Sequence, residues 1–162
     1  MIVTNTSPII ALGRLGVLEL LVKCFKQVII PEGVYQEATI KKGSPEAIAL
    51  DKAVKEKWVV VESVTVNPFL LTDKLGSGEK EAISLAAKRK AMLILDDDTA
   101  KAYASVLGVE AHGTLYVIYI SVLKNFVSQA AAIEILDAMI SNGFYISTDV
   151  YSKFVSNINS LK

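Results

Sequence analysis

Carboxylate and amide side chains recur in this sequence next to apolar runs that read as buried strands. Asn5 follows Ile2-Val3-Thr4, and Glu37 lies a short helical stretch beyond Val28-Ile29-Ile30. Glu79 opens a helix after Gly76-Ser77-Gly78, and Asp96-Asp97-Asp98 closes the run Met92-Leu93-Ile94-Leu95. In a parallel α/β sheet, whatever lies just past the carboxyl ends of the strands converges on one edge. Residues far apart in the chain therefore meet in one cleft. Carboxylate oxygens, with one histidine and one cysteine in the whole sequence, suit a hard divalent cation, Mg²⁺ or Mn²⁺.

The elements that must position these groups alternate along the chain. Strands are expected at Ile2–Thr4, Gln27–Ile30, Trp58–Val61, Met92–Leu95 and Val109–Ala111, each short and rich in branched apolar residues. Ser7-Pro8 and Ser44-Pro45-Glu46 read as helix starts, with serine as N-cap and proline at the first helical position. Further helices are expected over Leu15–Phe25, from Pro31 through Ala38, over Glu79–Lys88 and over Thr99–Leu107. From Gly113 onward the pattern is helical: Thr114–Leu123 is apolar nearly all round, Ser128 caps a helix through Ile140, and Ser147 caps the last. Residues 62–75 show no clean period. The expected fold is a single α/β domain over 1–162, a three-layer α/β/α arrangement. Its mainly parallel sheet has four to five strands, and its C-terminal part is helical.

Composition excludes several classes. The chain has 162 residues and is 52% hydrophobic, enough for a substantial core. Lys plus Arg and Asp plus Glu balance at 17 each, so no bulk electrostatic drive towards nucleic acid exists. Lys41-Lys42 and Lys88-Arg89-Lys90 read as solvated helix ends. Cys24 is the only cysteine, which rules out an internal disulfide and zinc-finger chemistry. No apolar stretch is long enough to span a bilayer, and no basic region precedes an apolar core at the N-terminus. A cytoplasmic address with no membrane association is expected.

Four motifs, in order, resemble the PIN domain, the nuclease fold of VapC-type toxins. They are Asn5-Thr6-Ser7-Pro8-Ile9-Ile10-Ala11-Leu12, Gly76-Ser77-Gly78-Glu79-Lys80-Glu81-Ala82-Ile83, Leu95-Asp96-Asp97 and His112-Gly113-Thr114-Leu115. The likeness covers roughly residues 1–155. It implies a Mg²⁺- or Mn²⁺-dependent ribonuclease with metal ligands at Asn5, Glu37, Glu79 and Asp97. Glu37, Glu79 and Asp97 would be catalytic through the metal, with Asp96 orienting the attacking water, and Ser7 and Thr114 are the candidate substrate contacts. It also implies RNA as substrate and a small antitoxin protein as partner, inserting a basic side chain into the acidic cleft.

Position 5 departs from that pattern, which most often has aspartate there. An amide oxygen still ligates a hard cation but brings no charge, so the site holds three carboxylates and one amide. The alternative reading follows from this: a PIN fold with weakened catalysis, kept as a binding or assembly module. A phosphoacceptor receiver domain would need paired acids after the first strand, where this chain has Asn5-Thr6.

Each residue also has a plainer role. Glu79 and Glu81 suit a first helical turn, Asp97 or Asp98 suits an N-cap, and Asn5 suits a turn bonding its own backbone. Ser7 reads first as a cap, and His112, with no partner in sequence, as structural. A homodimer is expected from the apolar faces of Thr114–Leu123 and of Leu18, Leu21 and Val22.

Overall fold

The computed structural model describes residues 1–162. Five strands form one parallel sheet: β1 (Ile2–Thr4), β2 (Val28–Pro31), β3 (Val59–Glu62), β4 (Met92–Ile94) and β5 (Ala111–His112). Their order is β3-β2-β1-β4-β5, with Ile2 level with Val28 on one side and Met92 on the other. The chain winds one way from β1 to β3 and then returns to the far side of β1. The carboxyl ends of β1 and β4 thus flank a topological switch point, where open α/β sheets place their clefts.

Nine helices surround the sheet: α1 (Thr6–Arg14), α2 (Leu20–Phe25), α3 (Glu32–Ala38), α4 (Pro45–Lys55), α5 (Ser77–Arg89), α6 (Asp98–Val106), α7 (Thr114–Leu123), α8 (Gln129–Ser141) and α9 (Thr148–Asn159). The period-2 alternation of the strands divides the core between two layers. Ile2, Val28, Ile30, Val59 and Ile94 face α1–α4 and α7, while Val3, Ile29, Leu93 and Leu95 face α5 and α6. Strands buried on both sides must be apolar throughout, and this is why they read as continuous hydrophobic runs. A third apolar cluster joins α7, α8 and α9 through Ile118, Leu136, Met139 and Phe154.

Several local expectations shift for identifiable reasons. The helix expected over Leu15–Phe25 begins only at Leu20, because Gly16 takes φ +70° and turns the chain. Gly13 lies within α1, pressed so closely on α4 that a Cβ there would sit 2.9 Å from the Glu46 Cα. Buried Glu46 pairs with Arg14 at 3.5 Å. The last strand forms at Ala111–His112, where the backbone lies alongside β4. Ser44, Ser128 and Ser147 cap their helices as expected, accepting from Ala47, Ala131 and Val150.

Much of the two apolar faces expected to form a dimer contact is covered within the chain. Leu18, Leu21 and Val117 are buried in one cluster, Phe25 stacks on Tyr116 at 6.3 Å, and the opposite side of α7 meets α8 and α9. Leu123, at the end of α7, stays 48% exposed, and Val22 is half-buried. No helix is long and apolar enough to cross a membrane.

Candidate metal and nuclease site

Asn5 directly follows β1 and occupies the N-cap position of α1 in extended backbone conformation. Its N–H donates to Ile94 O of β4 at 3.2 Å, and the Thr4 hydroxyl donates to the same carbonyl. Position 5 is thereby pinned at the β1–β4 switch point. The side chain makes no cap hydrogen bond, the residue is only 6% exposed, and its Oδ1 is buried without a partner. A buried amide oxygen left unpaired costs about 1–3 kcal/mol, so the position calls for a ligand or water. The Asx-turn role open in the sequence is not what the side chain adopts.

Glu37 projects from α3 across to α5. Its Oε2 accepts from the Thr6 hydroxyl and its Oε1 from the Gly78 N–H at 3.2 Å. Only glycine permits this approach, since a Cβ at position 78 would lie 2.8 Å from the Glu37 oxygens. The carboxylate therefore sits over the first turn of α5, where backbone N–H groups and the helix dipole favour negative charge. Glu79, in that same turn, accepts from the Gly76 N–H at 2.9 Å. Asn5, Thr6, Ser7, Glu37, Gly78 and Glu79 line one cleft of about 390 Å³.

The aspartates at the end of β4 divide. Asp96 is half-buried and takes three donors: the Thr114 N–H and hydroxyl, each at 2.7 Å, and the Ser7 hydroxyl at 3.0 Å. Gly113 makes room for it, because a Cβ there would lie 2.9 Å from Asp96 Oδ1. Asp97 instead caps α6, accepting from the Ala100 N–H at 2.8 Å, and Asp98 is fully exposed beside Lys101. The structure thus brings Asn5, Glu37 and Glu79 into one cleft and links Asp96 to its edge through Ser7. Asp97 lines the neighbouring hollow. Ser7 and Thr114 meet at Asp96, and Ser7 is a helical residue rather than a cap. His112 stacks on Tyr116 at 3.9 Å and contacts Glu110 at 2.7 Å, away from these groups.

No lysine, arginine or histidine pairs with Glu37, Glu79 or Asp96; the ion pairs of the chain all lie elsewhere. Equally, no three acidic, histidine or cysteine side chains close on one point as a direct chelate. The expected triple chelate by Glu37, Glu79 and Asp97 is not the arrangement the side chains adopt. Each carboxylate is held by hydroxyl or backbone donors but keeps lone pairs free. The donor set, with the unpartnered Asn5 oxygen among it, fits a hard cation that retains part of its water shell.

Two groups were not legible beforehand. Thr6 positions Glu37, and Glu81 accepts from the Gly33 N–H of α3 at 2.9 Å. The available signal was glycine in the first turn of each helix, a mark of close approach.

A five-stranded parallel sheet with Asn5 past the end of β1, Glu37 past β2 and the aspartates past β4 is a PIN-like arrangement. The chain belongs to the PIN domain family DUF3368, which matches residues 1–160. Members of the PIN family are typically nucleases and usually bind Mg²⁺ or Mn²⁺. Among solved structures, the chain resembles a PilT N-terminus domain protein from the hyperthermophilic archaeon Sulfolobus solfataricus P2. Identity is 24% and the TM-score 0.54, covering 72% of this chain and 90% of that one. It is also similar to a domain of a functionally unknown protein from Methanocaldococcus jannaschii, at 22% identity and a TM-score of 0.46, over 69% of this chain and 89% of that one. A search of curated proteins finds no match.

Proposed function

We propose that this PIN domain is a Mg²⁺- or Mn²⁺-dependent endoribonuclease that hydrolyses RNA phosphodiester bonds in the cleft of Asn5, Glu37 and Glu79. The observation that carries the reading is the buried, unpartnered Asn5 Oδ1 among carboxylates that no side-chain cation neutralises. Asn5, Glu37 and Glu79 would hold the ion. When bound, a divalent cation supplies Lewis-acid chemistry, lowering the pKa of water and offsetting the charge that grows on the phosphate.

The protein's own part is positioning. Thr6 and the Gly78 N–H fix Glu37, and the Gly76 N–H fixes Glu79. Ser7, which donates to Asp96 and lines the cleft, offers its oxygen lone pairs to the attacking water, with Asp96 behind it as the negative group. Water's oxygen bonds to phosphorus as the ester P–O bond breaks; the water proton leaves to a carboxylate and the departing ribose oxygen takes one from solvent.

In this reading the protein is the toxin of a cytoplasmic toxin–antitoxin pair. A small antitoxin inserts a basic side chain into the cleft, where no side-chain cation of the chain pairs with Glu37 or Glu79. A dimer would use apolar residues left exposed, such as Val106 and Phe69, which packs on Tyr103. A second reading, a PIN fold that binds RNA without cutting it, is favoured by the neutral amide at position 5.

Thermal unfolding with Mn²⁺ and with EDTA tests the metal site. Mn²⁺ should raise the Tm of the wild type in step with occupancy, and Glu37→Gln with Glu79→Gln should abolish the rise. An equal rise in the double variant would place the ion elsewhere.

A further inference from the structure

The acidic cleft does not end at Ser7. Ser7 and Ile10 are shared with a second hollow of about 220 Å³ that runs to Arg14, Asn142 and Phe144. Phe144 is in turn a wall of a third hollow, about 540 Å³, which also holds Asp96, Lys101 and Tyr145. The first two hollows thus adjoin at Ser7 and Ile10 and the last two at Phe144, so that together they make a broken groove that borders the loop between α8 and α9.

Two side chains on this groove have chemistry that the fold itself does not use. Arg14 donates from Nη1 to Asn142 O at 3.4 Å and sets Nε against Glu46 at 3.5 Å, while its side chain stays 44% exposed. Guanidinium has five N–H donors, so Arg14, which lines the hollow, keeps donors without a protein partner. Tyr145 is 89% exposed and takes part in no ring–ring contact, unlike Phe25, Phe69, Tyr103 and Tyr116. Opposite lies Lys101, whose nearest acid, Asp98, is itself fully exposed; of the other two aspartates, Asp96 is held by Ser7 and Thr114 and Asp97 by the Ala100 N–H. Arg14 in one hollow and an exposed aromatic ring in the next, joined through Phe144, are the kinds of group that bind single-stranded nucleic acid: a cation holds the backbone and a ring stacks on a base.

Resting on the ribonuclease reading, we propose that the groove beyond Ser7 is a subsite for unpaired RNA, in which Arg14 holds a phosphate next to the one being cut and the Tyr145 ring stacks on a flanking base. Neither residue touches the reacting atoms; both are binding residues that act only on strands long enough to reach them.

The test compares cleavage of a dinucleotide, whose single phosphate fills the acidic cleft, with cleavage of a longer single strand, both with Mn²⁺. Tyr145→Ala should raise KM for the longer strand about tenfold, within the range of base–aromatic stacking, with kcat near that of the wild type. Tyr145→Phe should restore it, and kcat/KM on the dinucleotide should be the same in all three proteins. Arg14→Lys, which keeps a cation beside Glu46 and so preserves the fold, should raise KM several-fold on the longer strand alone. An unchanged KM on the longer strand, or an equal loss on both substrates, overturns the subsite and leaves the groove to a protein segment. If the wild type cleaves neither substrate, the ribonuclease reading fails and the subsite with it. If it cleaves both and only the variants show no effect, the subsite alone fails.

Discussion

Glu81 on α5 accepts the backbone N–H of Gly33 on α3 at 2.9 Å, while Glu37 on α3 accepts the N–H of Gly78 on α5 at 3.2 Å. Each helix thus lends a carboxylate to the first turn of the other, and each contact needs a glycine. A Cβ at Gly33 would lie 2.6 Å from Glu81 Oε2. Glu81, which in sequence suited only its own helix dipole, is half of the clamp that sets where Glu37 points.

Gly33→Ala should push the Glu81 carboxylate off α3, and Glu81→Ala should leave the half-buried Gly33 N–H without its acceptor. Each is expected to cost about 1–3 kcal/mol in chemical denaturation and to weaken Mn²⁺ binding. Full stability in both variants would show that the clamp contributes nothing.

Asp96→Asn and Asp97→Asn separate two neighbours that no pattern distinguishes. The first replaces an acceptor of three hydrogen bonds by an amide that must turn an NH₂ towards one of its donors. A loss of about 1–3 kcal/mol and of RNA cleavage is expected. The second exchanges one good N-cap for another, so stability should hold within about 0.5 kcal/mol and cleavage should persist. The reverse order would restore Asp97 to the site.

Much of this architecture was legible because burial on both sides of a parallel sheet demands short, uninterrupted apolar runs, and Met92–Ile94 and Val28–Pro31 are such runs. The serine–proline start at Ser44 and the aspartates near α6 were equally readable, since capping is local. What depends on two distant segments was not. Ser7 looked like a cap because its partner, Asp96, is 89 residues away. That α2 and α7 pack on each other was likewise hidden, because nothing in either segment says that they meet. Asp96 and Asp97 differ only in the direction each side chain takes at the strand end.

Asn5→Asp places a charge where an amide oxygen is already buried and unpartnered. Without metal the variant should be less stable, since a desolvated carboxylate beside Glu37 and Glu79 is penalised by burial and by like charge. With Mn²⁺ its Tm should rise further than that of the wild type, because ligand charge strengthens hard-cation binding. A Mn²⁺ titration of both proteins reads this directly, and identical shifts would remove position 5 from the site.

Away from the site, Glu62 at the end of β3 receives Arg89 Nε from α5 at 3.2 and 3.1 Å. The Arg89 hydrogen bond, helped by the charges of Arg89 and Lys88, holds the Glu62 carboxyl below its usual range. A folded pKa below the unfolded one gives stability that is present above the unfolded value, about 4.3, and lost as pH falls through the folded value. Glu62→Gln should therefore lower the Tm slightly at neutral pH, and the difference should close in acid. A difference that persists or grows in acid would contradict the assignment.

The most direct measurement is cleavage of a mixed pool of single-stranded RNA by the purified protein, with Mn²⁺ and with EDTA, alongside Glu79→Gln and Asp96→Asn. The account predicts internal cuts by the wild type that require Mn²⁺ and that either substitution abolishes. RNA left intact by a folded wild type that binds Mn²⁺, or cuts that persist at equal rate in both variants, would contradict it.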